Sequence, residues 1–329
     1  MRSDDTMVSL VESRAPAVTV AIPVYSPRYI AQTIDSVVAQ TFQDFEIVVV
    51  NDGSPETAAL EQVLARYQSR VRYCRQENSG GAAARNKAVE AAHAPLIVNL
   101  DHDDLLEPDH LRTQVAFMQE HPEIDACYVN LLYFGGSRLD GTHWMDHNPS
   151  VGEVSLLSVL EGRTCPANPG SIVRRETILR LGGYDSSVDS WDDFDMWLRI
   201  LYAGGKIAYQ KDPLVRYRVH GRNLSLQRFY YVQSAVRVLE KAEATMQLTL
   251  EQTAALESRL KTATVHLEIL RGKDAIQRRD WPAAMRHFRF CQTQTPTAKL
   301  RTVLLALRWF PWVLSLFQSM RNSLSQRVV

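Results

Sequence analysis

The sequence predicts an α/β protein: a doubly wound, mostly parallel sheet in the first part of the chain and a helical C-terminal extension. Short valine- and isoleucine-rich runs bounded by turn residues give the strands, and apolar residues recurring every three to four positions between them give the helices. Residues 17–23 and 45–50 show little polar alternation, as expected of strands buried on both faces of a parallel sheet. Between them Ile30, Ile34, Val37 and Val38 share one helical face, which makes a βαβ unit. A second helix over 57–68, a third strand over 71–75, a third helix over 82–92 and a fourth strand over 96–100 continue the alternation. Ligands of such sheets sit beyond the carboxyl ends of the strands, and the chemistry is expected there. Beyond Val151 the alternation fades into a mixed segment reaching about Ser225, and the chain then turns helical. Ala275, Trp281, Ala284, Phe288 and Phe290 there predict a helix hairpin like a single tetratricopeptide unit, which must pack on the core or a partner because one unit cannot cover its own face.

A chain of 329 residues has room for one core of about 200–250 residues and an appendage. With 45% hydrophobic and 22% charged residues, the composition is that of a globular protein and argues against disorder. Lys plus Arg and Asp plus Glu both number 37, so no overall basic field points to nucleic acid. Cys74, Cys127, Cys165 and Cys291 lie far apart without a C-x-x-C pair, which indicates neither a zinc site nor a disulfide framework and fits a cytoplasmic location. Residues 1–16 are polar and read as a flexible tail with no signal-peptide core. Residues 303–317 are apolar, but Arg308 and Pro311 interrupt them and they fall short of the ~20 residues that span a bilayer. Leu300, Val303, Leu304, Leu307 and Leu314, with Arg301, Arg308 and Arg321, read in two ways. They form either a basic amphipathic segment resting peripherally on the inner face of the membrane or a helix closing the core.

Four segments can carry chemistry. Asn51-Asp52-Gly53-Ser54 follows the second strand on a glycine turn, where Asp52 either accepts hydrogen bonds from a base or ribose or simply closes an Asx turn. Asp101-His102-Asp103-Asp104 follows the fourth strand, and alternation along an extended segment lets Asp101 and Asp103 point the same way. Two carboxylates in one small volume call for a hard cation, Mg2+ or Mn2+, completed by substrate phosphates, and so for a nucleotide diphosphate. The alternatives are a solvated acidic loop or an Asp104 cap on the next helix through Pro108. Between these, residues 78–86 run from a glycine turn into an alanine-rich helix, whose free amides and Arg85 suit an anion; a bare helix cap is the alternative. The spacing fits neither a P-loop nor a dinucleotide fingerprint. Finally, Phe194, Trp197, Leu198 and Leu201 share a helical face that puts Asp192 and Asp193 in the first turn. Ser190 and Asp193 approximate a capping box, while crowding of the acids favours a general base with a raised pKa.

Across about residues 18–225 the chain resembles the family 2 glycosyltransferases of GT-A fold. The resemblance rests on Ile22-Pro23-Val24-Tyr25, Gln40-Thr41-Phe42, Asn51-Asp52-Gly53-Ser54, Ala84-Arg85-Asn86, Asp101-His102-Asp103-Asp104, Gly182-Gly183-Tyr184-Asp185, and Asp192-Asp193 leading into Trp197-Leu198-Arg199, in this order and spacing. It implies that Pro23, Tyr25 and Asp52 line the base and ribose pocket and that Arg85 and Asn86 shape it. It implies that Asp101 and Asp103 hold the diphosphate and Mn2+ or Mg2+, and that Asp193 is the base. His220 falls where some relatives carry a lid residue touching metal or diphosphate; an ordinary surface histidine is the other reading. The chain departs from the family at Asp192, where Glu is commoner, and at Asn51, where many members carry Asp. The implied organisation is a tail (1–16), a GT-A domain (17–225) with a nucleotide-sugar half (17–105) and an acceptor half (106–225), and a helical region (226–329).

The implied activity is inverting, metal-dependent transfer from a UDP- or dTDP-sugar to a hydroxyl of a glycan, lipid-linked glycan or protein, in the making of bacterial surface polysaccharide. The Gln-x-x-Arg-Trp signature of processive polymerases is absent, which favours one transfer per acceptor. Two rivals are a non-catalytic scaffold that kept the fold and a nucleotidyltransferase. The first should have lost the key acids, and the second leaves the Asp193 cluster without a task.

Overall fold

The computed structural model describes residues 15–188, 190–221, 223 and 227–309. The first half alternates as the sequence predicts: β1 (Val18–Val24), α1 (Ile30–Val38), β2 (Phe45–Asp52), α2 (Thr57–Leu64), β3 (Val71–Gln76), α3 (Gly81–Ala91) and β4 (Leu96–Asn99). Every residue of β1 and β4 is buried, which is why their sequences show no clean alternation. Ile30, Ile34 and Val37 of α1 are wholly buried on the face that the apolar spacing marks. Pro23 is tolerated in a central strand because β1 pairs with β4 only as far as Ala21–Asn99; beyond that, no ladder bond needs its missing N–H.

The second half departs from simple winding. It comprises β5 (Leu105–Leu106), α4 (His110–Glu120), β6 (Ala126–Phe134), α5 (Trp144–His147), α6 (Leu156–Leu160), β7 (Ile172–Arg174), α7 (Arg175–Arg180), α8 (Asp192–Tyr202) and β8 (Ile207–Arg218). The strands form one sheet in the order β3-β2-β1-β4-β7-β6-β8-β5. The first four run parallel, β7 is antiparallel to both β4 and β6, and β8 returns parallel to β6. The chain leaves β1 toward β2 and β3, then crosses back to β4, so the crevice beyond the ends of β1 and β4 is the topological switch point where α/β sheets bind ligands. The pairing of Leu105 with Arg216 and Leu106 with Val215 holds the end of β8 against the acid segment that follows β4.

Gln40 fixes this corner. Its amide donates to Glu107 O (2.7 Å) and Ser36 O (3.1 Å) and accepts from Leu111 N (2.9 Å), tying the end of α1 to the start of α4. The Gln40-Thr41 motif is therefore a brace here. Asp104 does not cap α4. Asp109 stands at that N-cap without a side-chain bond, and Asp104 is buried elsewhere.

The helical region comprises α9 (Arg228–Thr245), α10 (Leu250–Gln277), α11 (Trp281–Gln294) and α12 (Ala298–Trp309). Val238, Leu239 and Ala242 of α9 and Leu256 of α10 join the main core, so the extension packs on the sheet-bearing part of the chain. A second core gathers Ala275, Ala284, Phe288, Cys291, Leu300 and Leu307 between α10, α11 and α12. Gly272 admits Phe288, since a Cβ there would lie 2.7 Å from the ring. Phe290, assigned to that core by spacing, is exposed instead, because Phe288 and Cys291 already fill the inward face of α11. Leu300 and Leu307 are buried and Val303 and Leu304 pack beside them, so the described part of the amphipathic stretch faces its own protein. Leu314 and Arg321 lie outside the described residues, as do residues 1–14. Among the described residues no helix is long and apolar enough to cross a membrane.

Candidate active site

The acids that follow the strands are held firmly. The carboxylate of Asp52 accepts hydrogen bonds from Gln76 Nε2 (2.9 Å), Ser79 N (2.8 Å) and Gly80 N (2.9 Å), binding the β3–α3 loop to the end of β2. Neighbouring Asn51 makes the Asx turn, accepting from Ser54 N (2.8 Å). Gly53 sits at φ +66° with the Asn78 backbone 2.4 Å from where a Cβ would stand, so only glycine fits. Pro23 is buried inside β1, whereas Tyr25, just beyond it, is 47% exposed and presents its ring to the crevice mouth.

The acid segment after β4 turns back on itself, with Asp104 N donating to Asp101 O (3.1 Å). The segment is thus a turn and not an extended run, and the two carboxylates take different partners. Asp101 accepts from Arg85 Nη2 (2.9 Å), while Asp103 Oδ2 lies 2.8 Å from His220 Nε2. Burial raises the pKa of Asp101, Arg85 opposes this and Asp103 adds to it. Asp104 is fully buried, accepting from Arg218 N (2.8 Å); burial and the charges of Asp103 and Asp101 push it well above the usual carboxylate range. Among the described residues no three His, Cys, Asp or Glu side chains converge to cage an ion. Asp103 and His220 supply a hard oxygen and an imidazole nitrogen, a donor pair that suits Mn2+ or Mg2+ once phosphate oxygens add the remaining ligands.

Arg218 is the residue that sequence reading missed here. Its Nε donates to Asp103 O (2.8 Å) and its Nη2 to Gln32 Oε1 (2.6 Å), while its guanidinium lies 4.2 Å from the Tyr29 ring and 4.4 Å from that of Phe134. It locks the acid turn to α1 and β8 and so positions His220, two residues on. The signal was present in Tyr217-Arg218-Val219-His220, since a strand puts 218 and 220 on one side.

The acids of α8 meet this turn through one guanidinium. Arg85, in α3, donates from Nη1 to Asp192 Oδ2 (2.6 Å) and from Nη2 to Asp101 (2.9 Å). Asp193 is beside them and accepts from Phe194 N (2.7 Å). Its pKa is pushed up to about 7 by burial and the charge of Asp192, against the pull of Arg85. No capping box forms. The residue before α8 is Trp191, at φ +68°, and it makes no side-chain cap. A left-handed tryptophan is strained, and the backbone accepts this strain immediately ahead of the acid pair. Asp195 is structural: Arg199 Nε (2.7 Å) and Lys241 Nζ (2.7 Å) both bond it.

Asn86, expected to shape the nucleotide pocket, is committed elsewhere. Its Nδ2 donates to Tyr184 O (2.8 Å) and its Oδ1 accepts from Tyr184 N (2.7 Å), clasping the glycine turn of the second half. Gly183 has φ +83°, and a Cβ there would lie 2.6 Å from Asn86 Oδ1, so this clasp explains the glycine pair.

Residues 19–180 match glycosyl transferase family 2. The chain belongs to that family. The O-antigen biosynthesis glycosyltransferase WbnJ of Escherichia coli is 26% identical over 213 residues, which cover 63% of this chain and 81% of WbnJ. An uncharacterized glycosyltransferase of Rickettsia felis is 28% identical over 214 residues, 62% of this chain and 34% of that protein, so this chain spans about a third of that relative's length. The fold is shared with Staphylococcus aureus TarS 1–349 in complex with UDP-GlcNAc (TM-score 0.62, 17% identity, 93% of this chain and 92% of that one). It is shared as well with the mannosyltransferase PcManGT of Pyrobaculum calidifontis in complex with GDP-Man and Mn2+ (TM-score 0.60, 18% identity, 93% and 85%). The GT-A fold seen from the sequence is thus the fold of the chain.

Proposed function

We propose that the protein is an inverting glycosyltransferase that transfers a sugar from a nucleoside-diphospho-sugar to an acceptor hydroxyl, with Asp193 as the base. One observation carries the reading: Arg85 bonds Asp192 and Asp101 at once, which joins the acids of α8 to the acid turn after β4 in a single site. Tyr25 and Asp52 flank the switch-point crevice on the side of the base and ribose, and Arg85 supplies fixed positive charge toward the phosphates. Asp103 and His220, with Asp101 beside them, would hold Mn2+ or Mg2+; the ion when bound draws charge from the departing diphosphate.

Asp193 takes the proton of the acceptor hydroxyl as its oxygen bonds to the anomeric carbon. The bond from that carbon to the diphosphate oxygen breaks on the opposite face, and the nucleoside diphosphate carries away the electron pair. One displacement inverts the configuration. An acid with a pKa of about 7 is half charged near neutrality, which suits a base that must take up and then release a proton. TarS bound to UDP-GlcNAc supports a UDP-sugar donor, and WbnJ supports a place in bacterial surface polysaccharide synthesis.

The test is to incubate the protein with Mn2+ and a panel of UDP- and dTDP-sugars, and to follow nucleoside diphosphate release and the anomeric configuration of the product. Inverted product and loss of transfer in Asp193→Asn are expected. Unchanged turnover in that variant, or retained configuration, refutes the proposal.

A further inference from the structure

A groove enclosing about 1140 Å³ opens between α6, α9 and α10, outside the acid cluster. Its walls are aliphatic, with Leu157 and Leu160 on α6, Val232 and Leu239 on α9 and Ala255 on α10. The lining residue next to α8 is Trp191, immediately before Asp192 and Asp193, with Tyr231 against it at 5.4 Å between ring centroids. The Tyr231 hydroxyl is close enough to Asp193 that, after burial, the charge of that carboxylate is the next cause holding its pKa up at about 12. Trp191 and Tyr231 thus set one wall of the groove beside the start of α8.

Of the four charged lining residues that are Arg or Glu, Arg228, Glu161 and Glu251 are exposed and Arg259 is half-buried. Arg259 lines the groove, lies 4.5 Å from the Phe194 ring and 5.7 Å from that of Trp191, and donates to the main-chain oxygen of Val159. No carboxylate is paired with it among the described residues, and burial lowers its pKa. A guanidinium withdrawn from water without a counter-ion is costly unless an anion comes to it. Arg228 and His266 line the same groove, and the charge of Arg228 depresses His266 further after burial has done so. The two acids of the lining are outward. Glu161 is paired with Arg163, and Glu251 is exposed in the first turn of α10.

We propose that this groove binds the acceptor, and that the acceptor is an anionic amphiphile: an aliphatic chain joined through a phosphate to the group whose hydroxyl receives the sugar. The chain lies along the leucine and valine walls, where apolar area is removed from water. The phosphate meets Arg259, and the hydroxyl reaches Trp191 and Tyr231 beside Asp193. The placing of the hydroxyl rests on the sugar-transfer reading; the binding itself does not.

The test is calorimetric titration of the full chain with dodecyl phosphate, dodecyl maltoside and inorganic phosphate, all below micelle-forming concentrations, with UDP as the folding control. Dodecyl phosphate is expected to bind at least tenfold tighter than the other two. Arg259→Gln is expected to weaken it tenfold or more while changing dodecyl maltoside less than twofold. Ala255→Trp, which fills the groove, should weaken both amphiphiles tenfold, and UDP affinity should stay unchanged in both variants. Equal binding of the two amphiphiles, or dodecyl phosphate binding indifferent to both substitutions, overturns the proposal. Should that happen while Asp193→Asn still abolishes transfer, only the acceptor assignment falls. Turnover by Asp193→Asn alongside groove-dependent binding would instead remove Asp193 as the base and leave the anion site.

Discussion

The carboxylates at the strand ends and those on α8 are held in opposite ways. Asp52 accepts three hydrogen bonds, Asp104 takes a main-chain N–H, and Asp103 has His220. On α8, Asp195 has two cations and Asp192 has Arg85, but among the described residues Asp193 receives only the N–H of its chain neighbour. Asp52, Asp192 and Asp195 are held by several donors or a cation, while Asp193, with one N–H in a crowded turn, has its pKa lifted to about 7. The difference separates scaffold from base within one acidic composition.

The largest effect should come from removing the bare acid. Asp193→Asn is expected to slow transfer by about 10²–10⁴-fold, the span of a general base, with UDP affinity unchanged by calorimetry. The same variant should be more stable than the parent at pH 8. The folded pKa lies above the unfolded value of 3.8, so the charged form is disfavoured in the fold, and stability is lost as pH rises from about 4 through about 7. Relief on the order of 2–4 kcal/mol at pH 8, and little at pH 4, is expected from denaturant unfolding.

Next comes Arg85, which serves both groups of acids. Arg85→Met leaves Asp101 and Asp192 buried without their cation and should destabilise the fold by about 3–5 kcal/mol in urea titrations. It should also move the acid limb of the rate profile upward, since Arg85 is what pulls the Asp193 pKa down. A limb that stays in place would break the link between the two acid groups.

In the unaltered protein the rate should fall about fivefold from pH 7 to pH 6 and about tenfold more to pH 5, because protonated Asp193 cannot accept the acceptor proton. A flat profile over that range, measured with saturating metal, would move the base elsewhere.

The smallest effect marks the far end of the molecule. Asp280 caps α11 by accepting from Ala283 N at 2.9 Å. Asp280→Ala should cost about 1 kcal/mol in thermal unfolding and leave transfer untouched, as a lost helix cap does.

The parallel half of the fold was legible because β1, β2 and β4 carry continuous apolar runs and strands and helices alternate along the chain. The antiparallel half was not. β5 has two residues, β7 has three, and both find their partners across long separations, Leu105 with Arg216 and Ile97 with Val173. The site divided in the same way. Asp52, Asp101, Asp103 and Asp193 were picked out by residue type and place. Which of them touch was hidden, as was the local turn in which Asp101 and Asp103 take different partners. That Asn86 clasps Tyr184 was hidden, because an amide in a motif looks the same whichever partner it meets. Trp191 carried no positional signal, since its strained backbone is imposed by packing.

By itself the sequence determined the secondary elements of the first half, the family and the inventory of acids, because apolar periodicity and turn chemistry act within a few residues. Only the tertiary structure decided that Arg85 joins the two acid groups, that Arg218 locks the acid turn to β8, and that α6, α9 and α10 wall a groove lined by Trp191. These depend on charge and burial between residues far apart in the chain, and the pKa of Asp193 is set by how deeply that packing buries it beside Asp192.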